Sequence, residues 1–164
     1  GIYGTSKLEG EKLVMEYNPG SVIIRTSWVY SFYGKNFVKT MMRLMREKPS
    51  LGVVNDQFGS PTYAADLAAA ILQIIRSGKF VPGIYHYSNE GRISWYDFAV
   101  AIKELIGANC EVKPIPTSAY PTPAKRPLNS LLSKDKIREV YSVDILPWKD
   151  SLEKCVRKLQ AHVA

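Results

Sequence analysis

The feature that most constrains the fold is a regular alternation of short apolar runs with amphipathic helical segments. Val22-Ile23-Ile24 is a β-branched run of the kind that forms a buried parallel strand. Further strands are predicted at 51–54, 83–87 and 111–115. Helices are predicted at 4–17, 36–47, from about 64, at 95–106, after Ser133 and from 148. This alternation is typical of an α/β layered fold with a mostly parallel sheet.

Residues that start and stop helices support these boundaries. Asn18-Pro19-Gly20 ends the first helix, and Gly107 ends the helix that a Ser94–Asp97 capping box begins. Ser133 is expected to cap a short helix, and Pro147 to open the last one. Asp66 lies in a first helical turn, where an acid favours the helix dipole, so we interpret it as structural. The stripe of that helix predicted to face inward is Leu67, Ala70, Ile71, Ile74 and Ile75.

Composition restricts the classes of protein that the chain can belong to. Of 164 residues, 46% are hydrophobic and 23% are charged, as in soluble globular domains, and no apolar run is long enough to span a membrane. The net charge of +7 is spread along the chain and interleaved with acidic residues. Nucleic acid is therefore not an expected partner, because a phosphate backbone needs a basic stripe.

The cysteines and histidines give little support to a metal site. Cys110 and Cys155 are the only cysteines, and their spacing matches no metal-binding motif. They fit reduced thiols in a cytoplasmic protein. His86 and His162 lie far apart in the sequence, so no metal ligand is assigned.

Tyr3 and Lys7 form a Tyr-x-x-x-Lys pair at the start of the first predicted helix. Residues four apart share a helix face, so the ammonium can lie close to the phenol. A nearby cation lowers the pKa of a phenol, and a general acid works best when its pKa is near the working pH. The pair alone is also compatible with an ordinary surface helix, since short motifs often arise by chance.

Two polar segments follow predicted strands. Arg25 to Tyr30 continues the first strand, and Asp56 to Thr62 follows the second. Parallel sheets bind ligands outside the carboxyl ends of their strands, so both segments lie where a site is expected.

Seven blocks in register then carry a resemblance over residues 1 to about 149. The chain resembles the extended short-chain dehydrogenases/reductases, and among them the dTDP-4-dehydrorhamnose reductases. The blocks are Tyr-Gly-Thr-Ser-Lys at 3–7, Arg-Thr-Ser-Trp-Val-Tyr at 25–30, Asn-Phe-Val at 36–38, Asp-Gln-Phe-Gly-Ser-Pro-Thr at 56–62, Asp-Leu-Ala at 66–68, Ser-Trp-Tyr-Asp-Phe-Ala at 94–99 and Tyr-Pro-Thr-Pro-Ala-Lys-Arg-Pro at 120–127.

The resemblance implies the C-terminal part of a Rossmann-like parallel sheet with a smaller substrate-binding lobe. Residues 1–34 and 62–90 would form the remainder of the Rossmann-like domain, and residues 35–61 and 91–164 the substrate-binding lobe. The Gly-rich, N-terminal nucleotide-binding half of the family is absent from this sequence, as is the Ser or Thr that shares the keto oxygen with the catalytic Tyr. These 164 residues alone are therefore expected to be inactive.

The resemblance also implies a role for each matching residue. Tyr3 would protonate the C4 keto oxygen of the sugar, and Lys7 would lower the Tyr3 pKa and hold the nicotinamide ribose. Thr26 and Ser27 would lie beside the nicotinamide, and Tyr3 and Lys7 also count as cofactor-binding residues. The substrate-binding residues would be Trp28 as a pocket wall, Gln57, Gly59, Ser60 and Thr62 in one loop, and Arg126 on the diphosphate.

The implied cofactor is NADPH or NADH, since the residues that choose between them belong to the absent half. The implied substrate is dTDP-4-dehydro-L-rhamnose, reduced to dTDP-L-rhamnose in the cytoplasm by a homo-oligomer. Some members of the family use Mg at a dimer contact, and no matching acidic residues are found here. Two alternatives remain open: a non-catalytic relative such as the regulatory subunit of methionine adenosyltransferase, or another nucleotide-sugar reductase or epimerase.

Overall fold

The computed structural model describes residues 1–122, 124 and 126–162. Helices and strands alternate along these residues, which confirms the predicted α/β class. The helices are α1 Ile2–Tyr17, α2 Phe37–Glu47, α3 Ala64–Arg76, α4 Trp95–Ile106, α5 Asp135–Tyr141 and α6 Trp148–Ala161. The strands are β1 Val22–Thr26, β2 Val29–Tyr30, β3 Ser50–Val54, β4 Phe58–Gly59, β5 Thr62–Tyr63, β6 Gly83–Tyr87, β7 Ile93–Ser94 and β8 Glu111–Ile115.

The strands pair two by two. β1 lies parallel to β6, β2 to β5 and β3 to β8, whereas β4 and β7 are antiparallel. The prediction of a mostly parallel sheet is therefore correct in strand direction, but within the described residues the sheet is divided into four pairs. One break lies between β1 and β2, where Trp28 has a φ of +50°, because an extended strand cannot continue through a left-handed residue.

Two separate groups of buried apolar side chains hold these elements together. The larger group joins α2, α4 and α6 and includes Tyr30 and Tyr63 from the paired strands β2 and β5. The smaller group joins α3, β6 and α5. The division into a Rossmann-like part and a smaller lobe stays a prediction; α5, which it assigns to the lobe, packs in the group around β6.

The residues predicted to start and end helices do so at most positions. Ser94 Oγ accepts a hydrogen bond from the Asp97 N–H at 3.1 Å, and Asp97 Oδ2 accepts one from the Ser94 N–H at 2.8 Å. Gly107 ends α4 with a φ of +64°. The prediction for Ser133 is wrong by one residue: Lys134 is the N-cap of α5, and the Ser133 hydroxyl instead donates to the Asp135 carboxylate.

The two helices that flank β1 and β6 are unusually exposed. None of the residues of α1 is buried by the part of the chain that the structure describes. In α3, Ala70 and Ile74 are buried as predicted, but Ile71 and Ile75 are 39% and 52% exposed. The smaller core contacts only one side of α3, so the predicted inward stripe is too wide. No helix in the described ranges is both long enough and apolar enough to cross a bilayer.

Candidate active site

Tyr3 and Lys7 project from the same side of the first two turns of α1. The Lys7 Nζ lies 5.9 Å from the centroid of the Tyr3 ring, at the outer limit of a cation–π contact. The Tyr3 side chain is 76% exposed, so its hydroxyl is open to a ligand. The predicted juxtaposition of phenol and ammonium is therefore present in the structure.

An ion pair fixes which side of α1 faces the strands. Arg25 Nε and Nη2 donate to the two carboxylate oxygens of Glu11 at 2.8 Å and 2.5 Å. The Arg25 hydrogen bonds hold the pKa of Glu11 below its usual range. Glu11 lies four residues after Lys7, which in turn lies four after Tyr3, so all three share one face.

The direction of α1 carries this face beyond the end of β1. Only residues 18–21 connect α1 to β1, so the two elements run in opposite directions. At a helical rise of 1.5 Å per residue, Lys7 lies about 6 Å and Tyr3 about 12 Å from Glu11, in the direction of the N-terminus of α1. Arg25 is followed by the last residue of β1. The pair therefore projects past the carboxyl end of that strand, where Thr26 and Ser27 lie.

Hydrogen bonds join the end of β1 and the residue after it to Ser60, in the loop before β5, and to Thr62, the first residue of β5. The Thr62 hydroxyl donates to the Ser27 carbonyl at 2.7 Å, and the Thr26 hydroxyl donates to Thr62 Oγ1 at 3.1 Å. The Ser27 hydroxyl donates to the Ser60 carbonyl at 3.0 Å. Ser60 and Thr62 are fully buried. The structure thus brings these four predicted residues together, with Ser60 and Thr62 as supports beneath the surface.

The substrate-binding role of Gln57 stays a prediction, and its side chain is tied into the protein interior. It is buried, and its Nε2 donates to Thr117 Oγ1 at 3.1 Å. The Thr117 hydroxyl and backbone N–H both donate to the Asp56 carboxylate. These bonds, that of the hydroxyl first, lower the pKa of Asp56. Gln57 therefore joins its loop to the turn after β8.

Trp28 forms a flat aromatic surface next to Gly59. Its indole stacks on that of Trp95, with ring centroids 3.6 Å apart and planes 12° from parallel. From the sequence, Trp95 is identified only as part of the matching block at 94–99. Both tryptophans directly follow a polar residue that ends or succeeds a strand, but the sequence contains no signal that pairs them.

Arg126, the predicted diphosphate-binding residue, lies at the surface, where its side chain is exposed. Two residues further along the chain, the Leu128 carbonyl accepts a hydrogen bond from the Phe58 N–H at 2.8 Å. Pro123 and Lys125, in the same predicted block, lie outside the described residues. Arg92, which the prediction did not include, lies with its guanidinium carbon 3.8 Å from the centroid of the Phe58 ring.

Asn89 is a buried organiser that the sequence prediction missed. It follows β6, and its Oδ1 accepts a hydrogen bond from the Tyr63 N–H at 2.8 Å. Its Nδ2 donates to Asp66 Oδ2 at 2.8 Å and to Ser151 Oγ at 2.9 Å. Asp66 accordingly has the structural role that was predicted. A lone Asn between a strand and a loop carries no pattern by which it could have been recognised.

The candidate site therefore consists of the Tyr3 phenol, the Lys7 ammonium and the Trp28 indole, which lie around the carboxyl ends of parallel strands. The loop residues behind them are bonded to one another. Within residues 1–122, 124 and 126–162, no three His, Cys, Asp or Glu side chains are grouped so that they could hold a metal ion. The fold and the site define an α/β protein of the kind that binds ligands at the carboxyl edge of parallel strands.

The comparisons with known proteins identify the family. The chain belongs to the RmlD substrate binding domain family, which matches residues 1–161. A curated relative, the dTDP-4-dehydrorhamnose reductase of Aggregatibacter actinomycetemcomitans, is 44% identical in an alignment of 162 positions that covers 93% of this chain and 55% of the relative. The chain spans about half the length of the curated relatives it matches.

Solved structures agree with this assignment. A dTDP-4-dehydrorhamnose reductase from Clostridium acetobutylicum is similar with a TM-score of 0.91 and 42% identity, over 98% of this chain and 56% of that one. The Bacillus anthracis reductase in complex with NADP gives a TM-score of 0.90 and 39% identity, over 96% and 55%. The resemblance predicted from the seven blocks is thereby confirmed.

Proposed function

We propose that the full-length protein containing this chain reduces the C4 keto group of dTDP-4-dehydro-L-rhamnose to give dTDP-L-rhamnose, with NADPH as reductant. The observation that carries the proposal is the common orientation of Tyr3 and Lys7 toward the carboxyl end of β1. The names of the relatives support the substrate, and the NADP complex of the Bacillus anthracis reductase supports the cofactor.

The hydrogen-bond donors at this site suit a nicotinamide nucleotide. An exposed phenol and an ammonium on one helix face can bond ribose hydroxyls, and Thr26 lies exposed at the strand end that this face approaches. A bound nicotinamide supplies the hydride for the reduction. Lys7 and Thr26 are the residues that would hold the cofactor, and the Ser27 backbone is fixed beside them by Thr62.

The chain's own contribution to the reaction is a proton and an oriented pocket. The Tyr3 hydroxyl donates a hydrogen bond to the C4 oxygen of the sugar and transfers its proton as charge develops on that oxygen. The Lys7 ammonium stabilises the phenolate that remains. Trp28 supplies a flat apolar surface for the sugar ring, and Arg126 supplies a planar set of donors for the diphosphate.

The test is turnover by the full-length protein with dTDP-4-dehydro-L-rhamnose and NADPH, followed by loss of NADPH absorbance and by identification of the product. We expect stoichiometric formation of dTDP-L-rhamnose, with dTDP competing better than UDP or GDP. Absence of turnover by a folded protein that still binds the sugar nucleotide would contradict the proposal and favour a non-catalytic binding role. Preferential competition by UDP or GDP would favour another nucleotide-sugar enzyme.

A further inference from the structure

Trp28 is held in a backbone conformation that bulky residues avoid. Its φ of +50° lies in the left-handed region, where a large side chain is strained. Hydrogen bonds on both sides maintain it: the Thr62 hydroxyl donates to the Ser27 carbonyl, and the Thr62 N–H donates to the Trp28 carbonyl at 3.2 Å. Such strain persists only where the surroundings impose it, and it marks positions whose orientation matters.

Gly59 provides the space that the Trp28 indole occupies. A Cβ atom at Gly59 would lie 2.7 Å from Cε2 and 2.8 Å from Cζ2 of that indole, and 2.6 Å from Ser130 Oγ. All three distances are shorter than real Cβ contacts. Any other residue at this position would therefore displace the Trp28 indole, the Ser130 side chain or β4 itself. The contribution of Gly59 is thus the absence of a side chain rather than a contact of its own with a ligand.

Trp95 supports the indole from one face and is itself fixed to the larger core. It is the first residue of α4, directly after the capping box at Ser94. The Phe37 ring packs against it, with centroids 4.8 Å apart, and Phe37 stacks on the fully buried Phe98. The larger core therefore fixes the orientation of Trp28 through the packing of Phe37 and Trp95.

We propose that Trp95 and Gly59 are positioning residues that set the place of Trp28, and through it the fit of the sugar ring of a nucleotide sugar. Gly59 fixes how deeply the indole can sit, and Trp95 fixes its plane. This inference rests on the proposed function, because it takes the Trp28 indole as the wall against which the sugar packs. Neither residue is required to touch the substrate.

Circular dichroism of the full-length protein tests the stack itself. Two indoles stacked at 3.6 Å couple their transitions, and we expect a tryptophan exciton couplet in the wild-type protein. The couplet should disappear in Trp28→Phe and in Trp95→Phe. It should persist in the control Trp148→Phe, since Trp148 meets Phe98 edge-on with centroids 6.0 Å apart. A couplet that survives Trp95→Phe would overturn the proposal.

Binding by calorimetry tests the consequence for the ligand without relying on turnover. In Trp95→Leu and Gly59→Ala, we expect affinity for dTDP-L-rhamnose to fall about tenfold while affinity for dTDP is unchanged, since displacing a positioned group by a fraction of an ångström has effects of this order. Trp95→Phe, which keeps a planar ring, should fall less. The control Gly20→Ala should change neither affinity, because its nearest neighbouring atom is 3.5 Å from the added Cβ.

Turnover then separates this inference from the proposed function. The KM for the sugar nucleotide should rise in the Trp95 and Gly59 variants, while the KM for NADPH stays constant. An inactive wild-type protein whose variants still lose the sugar-dependent affinity would contradict the proposed reaction and support the positioning role. Equal losses for dTDP and dTDP-L-rhamnose, or no loss in any variant, would overturn the positioning role.

Discussion

The first turns of α1 and the loop around Thr62 both contribute residues to the candidate site, but they are held in opposite ways. Tyr3 is 76% exposed, and the contact that orients its helix is the ion pair between Glu11 and Arg25. Thr62 is fully buried, and its hydroxyl both donates and accepts a hydrogen bond. Chemistry and stability are separated here if Tyr3 has the proposed role: the proposed proton donor contributes little to folding, whereas the segment around Thr62 is part of the folded framework.

The largest effect is expected for Tyr3→Phe in the full-length protein. Removing the phenolic hydroxyl removes the proposed general acid, so kcat should fall about 10²- to 10⁴-fold. In this chain the Tyr3 side chain is 76% exposed, so we expect the melting temperature of this chain to stay the same. The control is Tyr17→Phe at the other end of α1, also exposed, which should leave both quantities unchanged. A melting temperature that falls with the activity in Tyr3→Phe would break the proposed separation.

Asn89→Ala should show the opposite behaviour, with a large loss of stability. The substitution leaves the buried Tyr63 N–H without its acceptor, and it leaves Asp66 and Ser151 without the hydrogen bonds that they accept from Asn89. Each unsatisfied buried group costs about 1–3 kcal/mol, so the free energy of unfolding should fall by about 3 kcal/mol. Chemical denaturation measures this change. Asn109→Ala, at an exposed position, is the control; an equal loss in both variants would rule out the buried network as the cause.

Thr62→Val should have a smaller effect on stability of the same kind. Valine preserves the shape of the side chain but removes the hydroxyl that donates to the Ser27 carbonyl at 2.7 Å. We expect the free energy of unfolding to fall by about 1–2 kcal/mol, because the Ser27 carbonyl loses this donor whereas the exposed Thr26 hydroxyl, which also loses its partner, can bond water instead. Thr62→Ser keeps the hydroxyl and should retain the bond. If valine and serine destabilise equally, packing rather than hydrogen bonding holds the loop.

The smallest effect is expected for the ion pair that orients α1. Arg25 lowers the pKa of Glu11, so the stabilisation is present above the usual Glu pKa of about 4.3 and is lost as the pH falls through the lowered pKa. The contribution should be at most about 1 kcal/mol, because Arg25 is partly exposed. Unfolding of Glu11→Gln and of the wild type should therefore differ at neutral pH and converge in acid.

Glu9→Gln is the control for this pair. Glu9 bonds Lys12 at 2.8 Å, but both side chains are more than half exposed, so its removal should change stability less than the removal of Glu11. A pH dependence of the same size in both variants would show that Arg25 adds nothing beyond an ordinary surface pair.

Much of the secondary structure could be predicted because its signals are local. The capping box at Ser94 and Asp97, the left-handed Gly107 and the β-branched run at 22–24 each depend on neighbouring residues, and the structure contains all three features. The α3 stripe was predicted too wide, since periodicity shows which residues can face a core and not how much of the helix that core covers. Ile71 and Ile75 consequently remain on the surface.

The candidate site was predictable only where its residues are close in the sequence. Tyr3 and Lys7 share a face by helix geometry alone, so their juxtaposition followed from their spacing. Other contacts join segments that are distant in the chain. These are the hydrogen bonds of Thr26 and Ser27 with Thr62 and the stack of Trp28 on Trp95. The blocks that carry the family resemblance included these residues without showing that they touch.

The sequence by itself determined the order of helices and strands, the positions where they end, and the placement of a phenol four residues before an ammonium, because these depend on interactions within a few turns or on strand patterning. Only the tertiary structure decided that Gln57 and Ser60 are buried supports and that Gly59 makes room for an indole. Those roles are set by strand pairing and by steric contact between distant segments, which no local pattern specifies.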